Sequence, residues 1–214
     1  MRKQQESGVR NQESGIRGKT ARLILLSLVA ILLTGCVRTQ EARLYILDTP
    51  ESLKGSVSAV KPEKAPVINI ASVQIPDHLS RPVVITQVAE NELAFSDFHR
   101  WAGPLQSNIR QVLIENLSII LQSDLIFADP RKQSFPADYH LEIGICDITG
   151  ILGETATLQA RWAVLSTEGK EVVALENFQK TIDIDGKSRR DYVNAQSTLF
   201  ANLAQAIANS IPTK

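Results

Sequence analysis

Side chains that carry chemistry are scarce in this 214-residue chain. It has two cysteines, Cys36 and Cys146, and three histidines, His78, His99 and His140. No two histidines stand at the spacing of a helical metal pair, and neither cysteine has another close to it in sequence. That excludes the usual zinc-site spacings. There is no Gly-x-Ser-x-Gly elbow and no glycine-rich loop to cradle phosphate. Charge of one sign is lacking too, with 23 basic and 23 acidic residues. Nothing resembles the basic footprint of a nucleic-acid-binding protein. A membrane-spanning run is also missing. The apolar stretch Leu23 to Leu33, interrupted only by Ser27, is eleven residues long. At about 1.5 Å per residue it reaches roughly 16 Å, against the roughly 30 Å of a bilayer core.

What is present begins with that stretch. Arg17, Lys19 and Arg22 precede it, and Leu33-Thr34-Gly35-Cys36 ends it. A basic segment, an apolar segment and small residues make a secretory signal. Small residues followed by cysteine resemble the lipobox of bacterial lipoproteins, whose cysteine thiol takes a diacylglyceryl group before cleavage. On that resemblance residues 1–35 are removed and the mature chain starts at a Cys36 bearing N-acyl and S-diacylglycerol lipid. An uncleaved helix is ruled out by length and by polar Arg38-Thr39-Gln40-Glu41; an ordinary signal with a coincidental cysteine is the remaining competitor. Near the start, Gln5-Glu6-Ser7-Gly8-Val9-Arg10 is nearly repeated as Gln12-Glu13-Ser14-Gly15-Ile16-Arg17. This polar duplication has no core to build and is expected to be absent from the mature protein.

Cleavage leaves roughly 180 residues, enough for one domain with a sizeable core. It removes six basic and two acidic residues, so the remainder carries a net charge of about −4. If Cys36 is a thioether, Cys146 stands alone. The expectation for it is a small buried hydrophobe, with pairing between chains as the alternative.

Residues 36–66 read as a lipidated tether with a short strand near 44–47. Pro50 turns the chain, and the Ser, Gly, Lys and Pro content of 51–66 reads as loop. From 67 to 210 a single domain is expected. Alternating apolar residues predict strands at 67–75 and 83–88, and a turn at Glu90-Asn91-Glu92. From Pro104, the residues Leu105, Ile109, Val112, Leu113, Leu117 and Ile120 recur at helical spacing, to an end near Ser123. A short strand at 125–127 follows. Longer strands are predicted at 139–148, around Leu158 to Val164, and at 172–184, with a hairpin at Thr167-Glu168-Gly169-Lys170. Gly150-Ile151-Leu152-Gly153 reads as a loop between strands. Ser188-Arg189-Arg190-Asp191 resembles a capping box opening a last helix striped by Tyr192, Val193, Leu199, Phe200, Leu203 and Ile207. These stripes are read as core. Long hairpins predict an α+β fold: a mostly antiparallel sheet with two main helices packed on one face.

The densest polar cluster is Asp97-Phe98-His99-Arg100-Trp101. Histidine with aspartate suits acid–base work, but no nucleophile stands nearby. Arginine and tryptophan are favoured anchors of interfaces, so Arg100 and Trp101 are read as candidate partner contacts.

Several segments together resemble one family. They are the lipobox; Leu44-Tyr45-Ile46-Leu47; Ile75-Pro76 followed by Leu79-Ser80-Arg81-Pro82-Val83-Val84; and Phe98-His99-Arg100-Trp101-Ala102-Gly103-Pro104-Leu105. The chain is similar, from about Leu44 to the last helix, to the PqiC/YmbA family of auxiliary lipoproteins of ABC-type transport systems. Ser80 and Gly103 stand where that family's pattern often has an acid. The resemblance implies a non-enzymatic role, with no cofactor beyond the lipid on Cys36 and no metal. It implies a partner, an MCE-domain protein of the inner membrane with its transport complex, and a homo-oligomeric, ring-like assembly. Arg81 joins Arg100 and Trp101 as a candidate contact. Val37 follows the lipid cysteine where an aspartate would signal inner-membrane retention, so the outer membrane, facing the periplasm, is the expected address. The alternative role is an envelope lipoprotein that itself binds and carries a lipid or assists outer-membrane assembly.

Overall fold

The computed structural model describes residues 40–55, 65–128, 136–167 and 171–212. The signal segment, Cys36, the first part of the tether, the loop at 56–64, most of the polar loop at 131–136 and residues 168–170 of the hairpin lie outside the described residues. The chain divides into units 1–41 and 42–214, and the second carries the fold.

That unit opens with strand β1 (Arg43–Tyr45) and a single helical turn, α1 (Glu51–Lys54). Strand β2 (Ile68–Gln74) follows, then a 3₁₀ turn at Asp77–Ser80 and three short strands, β3 (Thr86–Ala89), β4 (Glu92–Ala94) and β5 (His99–Trp101). Helix α2 (Leu105–Leu121) leads to β6 (Ile126–Phe127). Three twelve-residue strands come next, β7 (Tyr139–Gly150), β8 (Thr155–Ser166) and β9 (Val172–Asp183), and helix α3 (Arg189–Ser210) ends the chain.

Five strands form the main sheet in the order β6-β2-β7-β8-β9. The fold is α+β, as the hairpins suggest, but this sheet is mixed. β7–β8 and β8–β9 are antiparallel, whereas β2 runs parallel to both β6 and β7. The parallel half arises because α2 lies between β2 and β6: a helix that carries the chain back across a sheet returns the next strand in the same direction.

Period-two alternation on the long strands sets the core. Leu141, Ile143 and Ile145 of β7 and Leu158, Ala160, Trp162 and Val164 of β8 are buried. Glu142 and Cys146 of β7 and Arg161 of β8 are exposed on the other face. Helices α2 and α3 pack on each other, α2 against β2 and α3 against β8 and β9. Ile109, Leu113 and Leu117 of α2 meet Leu199, Phe200 and Leu203 of α3 in one core. Full burial of a side chain of that size contributes about 1.5–3 kcal/mol.

Local signals explain the helix ends. Pro104 sits at the start of α2, where no backbone N–H is required. Gln122 closes that helix in the left-handed conformation, φ 50°. The expected capping box is present. Ser188 Oγ accepts from the Asp191 N–H at 3.2 Å, and Asp191 Oδ2 accepts from the Ser188 N–H at 2.8 Å.

Two expectations are corrected. Cys146 is exposed rather than buried. It is the extra residue of a β-bulge: Ile145 pairs with Ala160 and Asp147 with Gln159, leaving Cys146 unpaired. The tether expected over 36–66 is shorter than that, because residues 43–54 are built into the domain.

Candidate functional site

The N-terminal arm explains that correction. β1 pairs in parallel with β5, in the register Arg43–His99, Leu44–Arg100 and Tyr45–Trp101. The Arg43 N–H donates to the Phe98 carbonyl at 2.7 Å and the Ala102 N–H to the Tyr45 carbonyl at 2.8 Å. On its other side β5 meets the segment after Arg81-Pro82: the Val84 N–H donates to the His99 carbonyl and the Trp101 N–H to the Pro82 carbonyl. The two family-like segments, around Arg81-Pro82 and around Arg100-Trp101, are therefore spatial neighbours.

Beyond β1 the arm is fixed to both long helices. Asn108 of α2 accepts from the Leu47 N–H at 2.7 Å and donates to the Leu47 carbonyl at 3.2 Å. Ser197 of α3 accepts from the Asp48 N–H at 3.2 Å. The Leu47 side chain is buried in the core. The point where the chain leaves the domain toward Cys36 is thus held by backbone, side-chain and apolar contacts.

The candidate contact residues separate. Arg81 is exposed, and its guanidinium carbon lies 4.8 Å from the centre of the Phe95 ring, a cation–π contact. Phe95, Leu93 and Val88 of the β3–β4 hairpin are exposed as well. Arg100 is half-buried. Trp101 is only 7% exposed and belongs to the core. As a partner contact it is corrected: neighbouring residues of a strand point to opposite faces, so Arg100 and Trp101 cannot both face outward. Arg81 and Arg100 remain on the surface.

His99 does not assemble with Asp97 into an acid–base pair. Its Nδ1 is hydrogen-bonded to the Tyr45 hydroxyl at 2.7 Å, and the two rings stack 5.7 Å apart. Burial, then the positive charges of Arg189 and Arg43, push its pKa below the ordinary histidine value. Beside this pair lies a cleft of about 860 Å³, bounded by β1, β5 and the residues that open α3. Lys187, Arg189 and Arg190 reach it from one segment and Arg43 from another. Sequence reading missed this grouping, since Arg43 is remote in the chain from the other three. Among the described residues, no three His, Cys, Asp or Glu side chains converge as a metal site would require. No helix among them is long and apolar enough to cross a membrane.

The cleft thus belongs to an α+β domain whose N-terminal arm is locked to two helices. The chain belongs to the family described as the ABC-type transport auxiliary lipoprotein component, whose model matches residues 45–208. The match starts inside β1, so the arm is part of the family's domain. No curated protein sequence matches the chain. Two solved structures are similar in fold. One, an uncharacterized protein, is 19% identical, covers 80% of this chain and 99% of its own, and superposes with a TM-score of 0.61. The other, a Xanthomonas campestris protein assigned to DUF330, is 16% identical, covers 77% of this chain and 92% of its own, and has a TM-score of 0.58.

Proposed function

We propose that this auxiliary lipoprotein is held at the outer membrane by acyl chains on Cys36 and acts without catalysis. In this reading it docks the periplasmic end of an MCE-domain protein that is rooted in the inner membrane, and it works as a homo-oligomeric ring in the transport of hydrophobic cargo between the two membranes. The observation that carries the reading is the lipobox cysteine placed seven residues before a strand that the domain holds tightly. A tether that short keeps the domain close to the bilayer, so its outward surface is presented to a partner arriving from the other side. Arg81 and Arg100 supply cationic contacts on that surface. Two or three acyl chains give the stable anchoring that a single chain cannot.

The anchor is tested by fractionating envelopes on a density gradient. The wild-type chain is expected with the outer membrane and Cys36→Ala is expected to leave it. Recovery of Cys36→Ala in the outer-membrane fraction would overturn the anchor.

A further inference from the structure

We propose that the cleft between β1, β5 and the start of α3 binds the phosphate of lipid head groups in the membrane that holds Cys36. The inference rests on the anchor reading above and adds a second, non-covalent contact with the same bilayer.

Four observations carry it. First, Arg43, Lys187, Arg189 and Arg190 converge on the cleft from two distant parts of the chain. Among the described residues, none of the four forms an ion pair with an acid. The carboxylate that lines the cleft, Asp191, takes the Ser188 N–H and hydroxyl on its Oδ2 at 2.8 and 2.7 Å. Second, Arg189 Nε is buried and has no acceptor. The guanidinium of Arg189 thus has a donor that no group of the fold satisfies, and phosphate is a charge-assisted acceptor for such a side chain.

Third, Arg189 and Arg190 are the first two residues of a 22-residue helix. The macrodipole favours acids there and opposes cations. Arg43 adds a further positive charge at the same place. With Asp191 as the acid among four cations lining the cleft, the local excess of positive charge is expected where an anionic ligand resolves it.

Fourth, the cleft lies where the tether enters the domain. Arg43 follows Cys36 by seven residues, a fully extended reach of about 25 Å at most. Leu44 lines the cleft and is 66% exposed, so an apolar side chain stands at its rim. Guanidinium groups clasp phosphate by paired N–H bonds, and a basic cluster held at a bilayer surface attracts anionic head groups.

The test uses the processed, lipidated chain in detergent micelles carrying phosphatidylglycerol, read by native mass spectrometry. The wild type is expected to retain phosphatidylglycerol about tenfold better than Arg43→Gln/Arg190→Gln. The variant is compared only after its melting curve matches the wild type. Arg43→Lys/Arg190→Lys is expected to restore binding, and Arg161→Gln, on the opposite face of the sheet, to leave it unchanged. Equal retention by the wild type and the double glutamine variant would overturn the proposal. So would equal loss in Arg161→Gln, or displacement of the lipid by equimolar inorganic phosphate, which would make the cleft a site for a free anion. The same spectra give the mass of the modified Cys36. A missing acyl mass would sink the anchor while leaving the cleft's binding readable.

Discussion

Asn108 holds both peptide groups of Leu47, accepting its N–H at 2.7 Å and donating to its carbonyl at 3.2 Å. One side chain of α2 thereby does what a neighbouring strand would do for the arm as it leaves β1. Asn108→Ala strands both groups, at least one of them away from solvent, and such a loss costs about 1–3 kcal/mol. Urea unfolding is expected to show that decrease, and amide exchange at Leu47 is expected to speed up before the core exchanges. Unchanged exchange at Leu47 would mean that the other anchors of the arm, β1–β5 pairing, Ser197 and the buried Leu47 side chain, hold it without Asn108.

The capping box of α3 makes a pH-dependent prediction. Hydrogen bonds from the Ser188 hydroxyl and then its backbone N–H hold the Asp191 carboxyl below its ordinary value of 3.8. A carboxyl depressed in the folded state contributes stability that is present above the unfolded pKa and lost as pH falls through the folded one. Ser188→Ala removes the largest cause and a cap together, and such a cap is worth about 1 kcal/mol. The variant is expected to be less stable at pH 7 and to lose less than the wild type between pH 5 and pH 2. Parallel acid limbs in the two proteins would contradict the assignment.

Asn116 sits in α2 at 0% exposure with neither amide atom hydrogen-bonded. An apolar group of similar size there avoids the desolvation of an unpaired amide. Asn116→Leu is expected to raise stability by about 1 kcal/mol, or roughly 2–4 °C in melting temperature for a domain of this size. A fall in melting temperature would show that the amide has a partner.

The bulge at Cys146 predicts a reactive surface thiol. Ellman's reagent is expected to titrate one thiol in the processed, folded chain at the same rate as in denaturant, since the proposed lipid on Cys36 leaves Cys146 as the free thiol. A thiol released only on unfolding would contradict the exposed placement.

Much of the fold was legible because its elements carry strong local signals. The stripe from Leu105 to Ile120, the alternation of Leu141, Ile143 and Ile145, and the Ser188–Asp191 box each place an element within a few residues of its observed limits. What was not legible depends on long-range pairing. The parallel alignment of β2 with β6 and β7 leaves no mark in either strand's own pattern. The docking of the arm rests on Asn108 and Ser197, polar residues on helices whose partners are far away in sequence. The orientation of Trp101 turned on strand parity, one residue either way. The cationic cleft was hidden because Arg43 joins Lys187, Arg189 and Arg190 only through the tertiary fold.

The central claim is that this domain docks an MCE-domain protein at the membrane where Cys36 is anchored. Affinity purification of the lipidated chain from detergent-solubilised envelopes, followed by mass-spectrometric identification of what comes with it, tests that claim most directly. The account predicts recovery of an MCE-domain protein, reduced severalfold by Arg81→Glu/Arg100→Glu at unchanged lipidation. Recovery of the intact, lipidated domain with no MCE-domain protein would contradict it.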